Sequence, residues 1–157
     1  MRNSIVCNLG GMSVIDDMVC FGMYSASHAF GQAYRRVLAP WKLTYPQYLV
    51  LVALWDAEPR TVSELGEQLF LDSGTLSPLL RRLEARDLVA RTRRPEDDRV
   101  VEVTLTPAGR ALRAEMRDVG VEIARCTGLT GDGARAVLDA VHALNAAIRA
   151  NNEAAAS

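Results

Sequence analysis

Apolar residues recur at helical spacing along much of the chain. The first such stretch covers residues 14–38 and predicts one amphipathic helix, which ends where Pro40 interrupts the pattern. The second, YLVLVALW, is apolar nearly all round, as expected of a helix that is buried on several sides. Thr44 and Gln47 precede it with the spacing of a capping box, so we expect Thr44 to be its N-cap.

Two shorter helices joined by a tight turn follow. Thr61 and Glu64 form another capping box, which begins a helix through Leu69. The segment DSGT then offers several N-caps ahead of LSPLLRRLEARDL. Because a proline deep inside a helix costs about 3 kcal/mol, we expect the regular helix to begin near Thr75, so that Pro78 falls in its first turn. This arrangement predicts a helix-turn-helix.

The pattern changes from helical to strand-like after this motif. LVARTR and RVVEVTL are rich in β-branched residues and flank the polar turn RPEDD, which predicts a hairpin, the wing of a winged helix. Thr106 and Pro107 then begin a helix through about Arg125, and a last helix is predicted from about Asp132 to Ala150. The predicted fold class is mainly α with a small β-hairpin wing, a winged helix-turn-helix.

The composition is that of a globular protein with no general attraction to nucleic acid. The chain has 157 residues, 49% hydrophobic and 24% charged, which favours one domain or one subunit of an intimate dimer. The formal net charge is -1, so any basic surface must come from local clustering. No apolar run is long enough to cross a bilayer and MRNSIVCNLGG lacks the apolar stretch of a signal peptide, so we expect a cytoplasmic protein.

Arginines cluster on the second helix of the pair and on the hairpin. A helix-turn-helix presents the N-terminal residues of its second helix to base edges, and here these are small hydroxyl residues that allow close approach. An arginine at the hairpin suits the narrow minor groove of DNA, and others neutralise phosphates. A solvated charged face is the alternative, because acidic residues are interspersed. The predicted DNA contacts are Ser73, Thr75, Ser77, Arg81, Arg82, Arg93, Arg94 and Arg99.

These motifs resemble the MarR family of dimeric winged-helix repressors. The resemblance rests on LTYPQYLVLVALW, on TVSELGEQLFLDSGTLSPLLRRLEARDLVAR and on the wing DDRVVEVTLTPAGRAL with its Asp-x-Arg element, Asp97 and Arg99. It implies a homodimer in which the first and last helices of both subunits intertwine, double-stranded operator DNA as partner, and insertion of Arg99 into the minor groove. Asp97 joins the predicted DNA-binding residues on this ground.

The resemblance also divides the chain into regions. It implies a flexible N-terminal segment (1–13), a dimerisation helix with its linker (14–44), a winged helix-turn-helix DNA-binding domain (45–106) and C-terminal dimerisation helices (107–157). Both Met1 and Met12 are candidate start residues, because the first dozen residues have no clear pattern.

The first helix resembles a narrower group, the organic hydroperoxide resistance regulators. CFGMYSAS, then Tyr34, then Tyr45 in LTYPQY match that group, whose members sense peroxides with one reactive cysteine at the place of Cys20. A thiol reacts as the thiolate, and two phenol donors aimed at the sulfur favour that charged form. Along one helix Tyr34 lies about 20 Å from Cys20, so the two meet only if a second copy of the helix runs antiparallel beside the first.

Cys126, in RCTGLT, is the second redox candidate. The two-cysteine members of the group resemble this chain in carrying a resolving thiol there, which implies a disulfide between Cys20 and Cys126 of the partner subunit. A buried helix-end cysteine is the alternative, and Cys7 is a minor competitor. Asp16 and Asp17 depart from the group, in which amide residues are more usual; their charge disfavours a nearby thiolate but stabilises a helix start.

The sequence therefore predicts a transcriptional repressor that organic hydroperoxides inactivate by oxidising Cys20. The alternative is a MarR-type repressor that responds to a small aromatic ligand, with Cys20 only packing. A thiol peroxidase that turns over peroxide is a third class. No cofactor or metal is expected, because the chain has three widely spaced cysteines and two histidines, which form no ligand motif, and we see no set of residues typical of a conventional enzyme.

Overall fold

The computed structural model describes residues 14–15, 17–95 and 97–156. Several predictions concern residues outside this part of the chain. They are the flexible segment over residues 1–13, the minor redox role of Cys7, the choice of Met12 as a start residue, and the effect of Asp16 on the helix that follows.

The first helix, α1, is shorter than the apolar pattern predicts. It spans Val19–Val37, and Met18 ahead of it has an extended conformation with ψ 115°. The predicted start at residue 14 is wrong, because side-chain periodicity does not register the backbone conformation of Met18. One 3-10 turn, Ala39–Trp41, follows α1 and ends at Lys42, whose φ of 51° is left-handed.

Capping boxes begin the next two helices where the sequence predicts them. In α2, Tyr45–Asp56, the backbone N–H of Thr44 donates to the glutamine side chain three residues later at 2.9 Å. In α3, Val62–Leu69, the backbone N–H of Thr61 donates to the Glu64 carboxylate at 2.6 Å. Each cap satisfies backbone donors that have no helical partner, and both predicted starts are confirmed.

The second helix of the pair, α4, begins earlier than predicted. It spans Ser73–Glu84, and Asp72 is its N-cap, with Oδ1 accepting from the backbone N–H of Thr75 at 2.9 Å. The helix does not begin near Thr75, and Pro78 lies inside it rather than in its first turn. The prediction was wrong because the Asp72 cap fixes the first turn ahead of Thr75. The fold tolerates the loss of the one helical hydrogen bond that Pro78 cannot form.

The predicted hairpin is present and belongs to a three-stranded sheet. β2, Val89–Arg94, and β3, Asp97–Leu105, pair antiparallel. A strand that the sequence does not predict, β1 (Arg60–Thr61), pairs antiparallel with the other edge of β3, with Arg60 opposite Val103. Two residues are too few to show an alternating pattern, yet this strand fastens the wing to the start of α3.

A leucine- and valine-rich core joins α2, α3, α4 and the sheet. Complete burial of such a side chain contributes about 1.5–3 kcal/mol, so these contacts hold α4 and the wing as one body. The core side chains that are essentially inaccessible include Val50, Leu51, Leu54, Leu65, Leu76, Leu80, Leu83, Val89 and Val103.

The single helix predicted after the wing is in fact two helices. α5 spans Pro107–Glu115 and α6 spans Val119–Thr127, separated by a turn over residues 116–118. The predicted start at Pro107, capped by Thr106, is confirmed. The break escaped prediction because the buried Met116 continues the apolar periodicity while its backbone (φ -95°, ψ 8°) leaves the helical region.

The chain divides into two compact units, Met1–Val119 and Gly120–Ser157. The second unit contains most of α6 and the last helix, α7, which spans Gly131–Ala156 and continues beyond the predicted end at Ala150. Among the described side chains of α7, none is buried. Within the described ranges, no helix has the length and apolar character needed to cross a membrane.

Gly109 in α5 fits closely against the residue that leads into the wing. A Cβ at this position would lie 2.0 Å from the carbonyl oxygen of Leu88 and 3.0 Å from its carbonyl carbon. Thr106 donates from its backbone N–H to the same Leu88 oxygen at 3.2 Å and from its hydroxyl to the Asp87 carbonyl. The start of α5 is therefore fastened to the turn between α4 and β2.

We expect Gly109→Ala to lower the free energy of unfolding by about 3 kcal/mol, because the atom that blocks the new methyl group is backbone rather than a flexible side chain. Urea denaturation at fixed protein concentration measures the change. Gly133→Ala in α7 is the control, since nothing lies within 4 Å of that position. Equal stability of the two variants would contradict the close fit at Gly109.

Candidate functional site

Two tyrosines that the sequence singles out meet where α1 joins α2. Tyr34 lies in the last turn of α1 and Tyr45 is the first residue of α2. Their rings stack with centroids 4.0 Å apart and planes inclined by 30°. The 3-10 turn lies between them in sequence, and the buried side chains of Leu38 and Leu43 flank that turn.

A third tyrosine, Tyr48, which was not among the predicted site residues, adjoins this pair. Its ring centroid lies 6.0 Å from that of Tyr34. Tyr48 follows Tyr45 by one helical turn and so shares its face of α2, and this spacing within TYPQY is the signal that could have found it. Tyr34, Tyr45 and Tyr48 are called the tyrosine cluster below.

The tyrosine cluster stays protonated at neutral pH. Burial, together with the neighbouring phenols of Tyr45 and Tyr48, raises the pKa of Tyr34 to about 12. Burial also raises the pKa of Tyr45 and that of Tyr48. A protonated phenol keeps its O–H as a hydrogen-bond donor, so the cluster is suited to an acceptor or an anion placed against it.

A groove of about 500 Å³ opens beside Tyr45. Its walls come from α1, the linker and the start of α2, and its lining residues include the apolar Phe30 and Leu43 and the cationic Arg35. A cavity of this size suits a small organic molecule.

Cys20 lies at the other end of α1 from the tyrosine cluster. It is the second residue of that helix and is exposed. About 21 Å of helix separates it from Tyr34, so the thiol and the phenols do not meet within one chain. Asp17 precedes the helix and is buried, and its Oδ2 has no hydrogen-bond partner among the described residues. This position at a helix start is one where negative charge is favourable.

Most side chains of α1 are accessible when only the described residues are considered. Of its described residues, Ala33 alone is buried. Apolar side chains remain exposed near its start, Val19 by 56% and Met23 by 38%. Tyr24 is also exposed, and its ring contacts that of His28 with centroids 5.4 Å apart. An amphipathic helix this long and this exposed is typical of an interface.

Cys126 is exposed near the end of α6, so the alternative of a buried helix-end cysteine is wrong for the single chain. Beside it, Arg125 pairs with Glu122 at 2.6 Å. Cys126 belongs to the second compact unit and Cys20 to the first. Within the part of the chain that the structure describes, no three His, Cys, Asp or Glu side chains form a group that could hold a metal ion.

The predicted base-contacting residues lie on the accessible side of α4. The hydroxyl of Thr75 donates to Asp72 Oδ2 at 2.9 Å, so its single proton is used within the protein and its oxygen remains as an acceptor. The hydrogen bonds from Thr75 hold the pKa of Asp72 below its usual range. The other predicted residues of this helix are accessible as well: Ser73, Arg81 and Arg82 are exposed, and Ser77 is half-buried.

A second groove of about 500 Å³ separates the helix-turn-helix from the wing. Acidic neighbours hold two of its guanidinium groups. Arg91 Nη2 lies 2.5 Å from Glu84 Oε2, and Arg94 Nη2 lies 2.7 Å from Glu102 Oε1. Hydroxyl and guanidinium groups suited to a sugar–phosphate backbone line the groove, from Ser63, Ser77, Arg91, Arg94 and Arg99.

Asp97 orients Arg99 on the wing. Asp97 Oδ1 accepts from the backbone N–H of Arg99 at 3.0 Å and from its Nε at 3.1 Å. Hydrogen bonds from Arg99 hold the pKa of Asp97 below its usual range. The Arg99 side chain is nevertheless 91% exposed. Nearby, Arg93 donates to the carbonyl oxygen of Asp98 at 3.0 Å. The wing therefore exposes Arg99, and the Asp97 carboxylate orients its side chain.

Arg86 lies near the clustered arginines of α4 and the wing, but its contacts are structural. It lies just beyond α4, and its Nη1 and Nη2 donate to the carbonyl oxygens of Lys42 at 3.0 Å and Trp41 at 2.7 Å. The end of α4 is thereby tied to the linker that precedes Tyr45. No sequence pattern predicts this contact, because its acceptors are backbone atoms.

Comparison with protein families and with known sequences identifies relatives of this chain. A model of the MarR family matches residues 43–101. The HTH-type transcriptional regulator TtmR of Methylorubrum extorquens (strain PA1) is 51% identical over 125 residues, which are 80% of this chain and 64% of TtmR. The organic hydroperoxide resistance transcriptional regulator of Bacillus subtilis (strain 168) is 37% identical over 130 residues, 83% of this chain and 88% of that protein. The chain thus spans less than two thirds of TtmR but most of the Bacillus regulator.

Solved structures share the fold. Reduced AbfR bound to DNA is 34% identical with a TM-score of 0.71, covering 83% of this chain and 91% of AbfR. Disulfide-formed AbfR is 31% identical with a TM-score of 0.59, and the match covers 80% of this chain and 88% of AbfR. AbfR has been solved from Staphylococcus epidermidis. BpsR of Bordetella bronchiseptica, whose DNA binding is regulated by 6-hydroxynicotinic acid, is 29% identical with a TM-score of 0.77. That match covers 86% of this chain and 98% of BpsR. The predicted winged fold is confirmed.

We expect the phenol of Tyr34 to ionise near pH 12, about two units above an ordinary tyrosine, because the protein buries it. A titration of tyrosinate absorbance measures this, and Tyr34→Phe should remove the latest step. Tyr24→Phe is the control, since its ring is exposed, and should leave that step in place. A late step that persists in Tyr34→Phe would contradict the assignment.

Proposed function

This chain belongs to the MarR family of DNA-binding transcription regulators, and we propose that it is a homodimeric repressor that releases its operator when an organic hydroperoxide oxidises Cys20. The observation that carries the proposal is the stacked pair of Tyr34 and Tyr45, which burial keeps protonated. Two neutral donors stabilise a thiolate without adding a formal charge, which is what a peroxide-sensing cysteine needs.

A dimer brings the thiol of Cys20 close to a tyrosine cluster, which one chain alone does not do. If α1 of one subunit runs antiparallel beside α1 of the other, Cys20 of each subunit approaches the tyrosine cluster of its partner. The same pairing buries the exposed side chains of Val19 and Met23, which gives the association a hydrophobic driving force. Each sensing site is then built from two subunits, and residues 14–44 and 107–157 serve as the dimerisation regions.

Operator binding uses α4 and the wing, within residues 45–106. The N-terminal half of α4 enters the major groove, and Arg99 enters the minor groove. The two α4 helices of a dimer read half-sites about 34–36 Å apart, which makes the operator a pseudo-palindrome. The arginine-lined groove beside Ser77 follows the phosphate backbone and contributes affinity that depends on salt.

Oxidation of Cys20 consumes one molecule of hydroperoxide. The thiolate sulfur attacks the terminal peroxide oxygen and the O–O bond breaks. The departing alkoxide takes up a proton and leaves as the alcohol, so the sulfur loses two electrons and Cys20 becomes a sulfenic acid. The Cys126 thiol of the partner subunit then attacks this sulfur, an S–S bond forms, and the hydroxyl group leaves with a proton as water.

Free-energy magnitudes favour this two-cysteine scheme. Conversion from 99% bound to 1% bound takes about 5.5 kcal/mol of differential stabilisation. A lost hydrogen bond between a phenol and the sulfur supplies about 1 kcal/mol, which is too little. A covalent link that forces the subunits into another arrangement supplies the remainder.

Relatives support the same function. The Bacillus subtilis relative is named an organic hydroperoxide resistance transcriptional regulator. AbfR has been solved both reduced on DNA and with a disulfide formed. These relatives are regulators rather than enzymes, which argues against turnover of peroxide as the function of this chain.

We expect one equivalent of cumene hydroperoxide per subunit to release reduced protein from operator DNA and to yield a disulfide-linked dimer. An operator-binding titration, intact mass and a non-reducing gel measure this on the same samples. Cys20→Ser should lose both release and cross-link, because the primary thiol is gone. Cys126→Ala should lose the cross-link, because the resolving thiol is gone.

The outcomes of this experiment separate the mechanisms. Release by wild-type protein without a cross-link rejects Cys126 as the resolving thiol and leaves Cys20 acting alone or with a small external thiol. Wild-type protein that stays bound with its sulfur unmodified rejects peroxide sensing. Consumption of many equivalents per subunit in the presence of a thiol reductant would instead support a peroxidase.

A second candidate is a repressor that responds to a small aromatic acid. The groove beside Tyr45 favours it, because apolar walls and the Arg35 guanidinium suit an aromatic ring with a carboxylate. The similar protein BpsR is regulated by 6-hydroxynicotinic acid. Release that survives in Cys20→Ser identifies this mechanism.

We expect Arg99→Ala to weaken operator binding about tenfold and to reduce the slope of log K against log salt by about 1, because one cationic contact with DNA is lost. Binding measured from low to moderate salt checks both values. Arg117→Ala is the matched control, an exposed arginine that lies outside the helix-turn-helix and wing. Equal effects of the two changes would argue against the wing contact.

A further inference from the structure

The tyrosine cluster continues into a fourth ring, that of Trp55. Tyr48 and Trp55 lie two turns apart on one face of α2, with ring centroids 6.2 Å apart and planes at 69°, an edge-to-face contact. Tyr48 also contacts Tyr34 at 6.0 Å. Rings about 4.5–7 Å apart are in direct contact, so Tyr34, Tyr48 and Trp55 form a continuous series of ring contacts.

Trp55 is in turn attached to the base of the wing. Its Nε1 donates to the carbonyl oxygen of Gly109 at 2.9 Å in a partly buried hydrogen bond. Gly109 fits against the Leu88 carbonyl, and Leu88 leads directly into β2. If the indole rotates, it either loses this bond or shifts α5, and with α5 the turn where α4 ends and the wing begins.

We propose that Trp55 is a positioning residue that couples the tyrosine cluster to the DNA-binding surface. The inference rests on the proposed function, since it names the route by which oxidation of Cys20 reaches the operator. Trp55 acts through Tyr48 and Gly109 rather than on the thiol. Measured coupling, and not the succession of contacts alone, establishes a route of this kind. The rate of Cys20 oxidation and the affinity for DNA therefore have to be measured separately.

The variant Trp55→Phe keeps an aromatic ring and removes the N–H donor. Full-length wild-type and variant proteins are treated with cumene hydroperoxide, and the rate of Cys20 oxidation is measured without DNA. The Kd for a promoter fragment that the reduced wild-type protein binds is measured before and after oxidation. We expect an oxidation rate within about twofold of wild type and a ratio of oxidised to reduced Kd that falls about tenfold, the effect of one partly buried hydrogen bond.

The other tryptophan provides a matched control. Trp41→Phe also removes an indole N–H, one that donates to Glu115 at 3.3 Å on the surface, and should keep the Kd ratio within about twofold of wild type. If Trp55→Phe weakens reduced and oxidised binding equally, the residue only stabilises the fold and the inference is overturned. If wild type itself has one Kd before and after oxidation, the proposed function fails and the inference fails with it.

A spectroscopic measurement avoids any dependence on the folding of the Trp55 variant. The chain has two tryptophans, so Trp55 is the sole indole emitter in Trp41→Phe. We expect cumene hydroperoxide to shift its fluorescence, and we expect no shift when Cys20→Ser is added. Unchanged emission from a protein that still releases its operator overturns the inference.

Discussion

The proposed sensing site depends on the rigidity of one helix, α1. α1 carries Cys20 in its first turn and Tyr34 in its last, and a continuous hydrogen-bonded helix keeps them about 21 Å apart. A flexible segment of the same length would let one chain bring its own thiol to its own phenols. The helix forbids this, so under the proposed function an unpaired subunit has no complete sensing site. Chemical sensitivity and dimerisation become the same property, and the exposed apolar face of α1 serves both.

α2 has two roles, and this explains how a small chemical change could reach DNA. Its first turns carry Tyr45 and Tyr48, while Val50, Leu51 and Leu54 of the same helix are buried in the core beneath α4 and the wing. Close-packed cores have few voids in which a displacement can be absorbed. A rotation of α2 that begins at the tyrosine cluster is therefore carried into the whole winged unit rather than lost within it.

The structural features that the sequence predicted correctly are those that interactions between neighbouring residues determine. The capping boxes at Thr44 and Thr61 and the hairpin of the wing depend on neighbouring residues, and the structure agrees. The start of α1, the cap of α4 at Asp72 and the break at residues 116–118 depend on backbone conformations that apolar periodicity does not encode. At the site, the resemblance implied that Tyr34 and Tyr45 both serve the Cys20 thiol, but it did not predict that their rings stack. Trp55 and Arg86 were not predicted because their hydrogen-bond acceptors are backbone atoms distant in sequence, whereas the spacing of Tyr48 from Tyr45 was a local signal.

The clamp formed by Arg86 has an evolutionary consequence. Its guanidinium reads two carbonyl oxygens, of Trp41 and Lys42, and every residue type offers the same carbonyl. The sequence of the linker can therefore drift, together with any pocket it helps to line, while its attachment to the end of α4 persists. Lysine could not replace the arginine on equal terms, because a fork of donors spans two acceptors and a single ammonium does not. Substitutions in the linker of this chain can therefore alter the groove beside Tyr45 without breaking the connection to the end of α4.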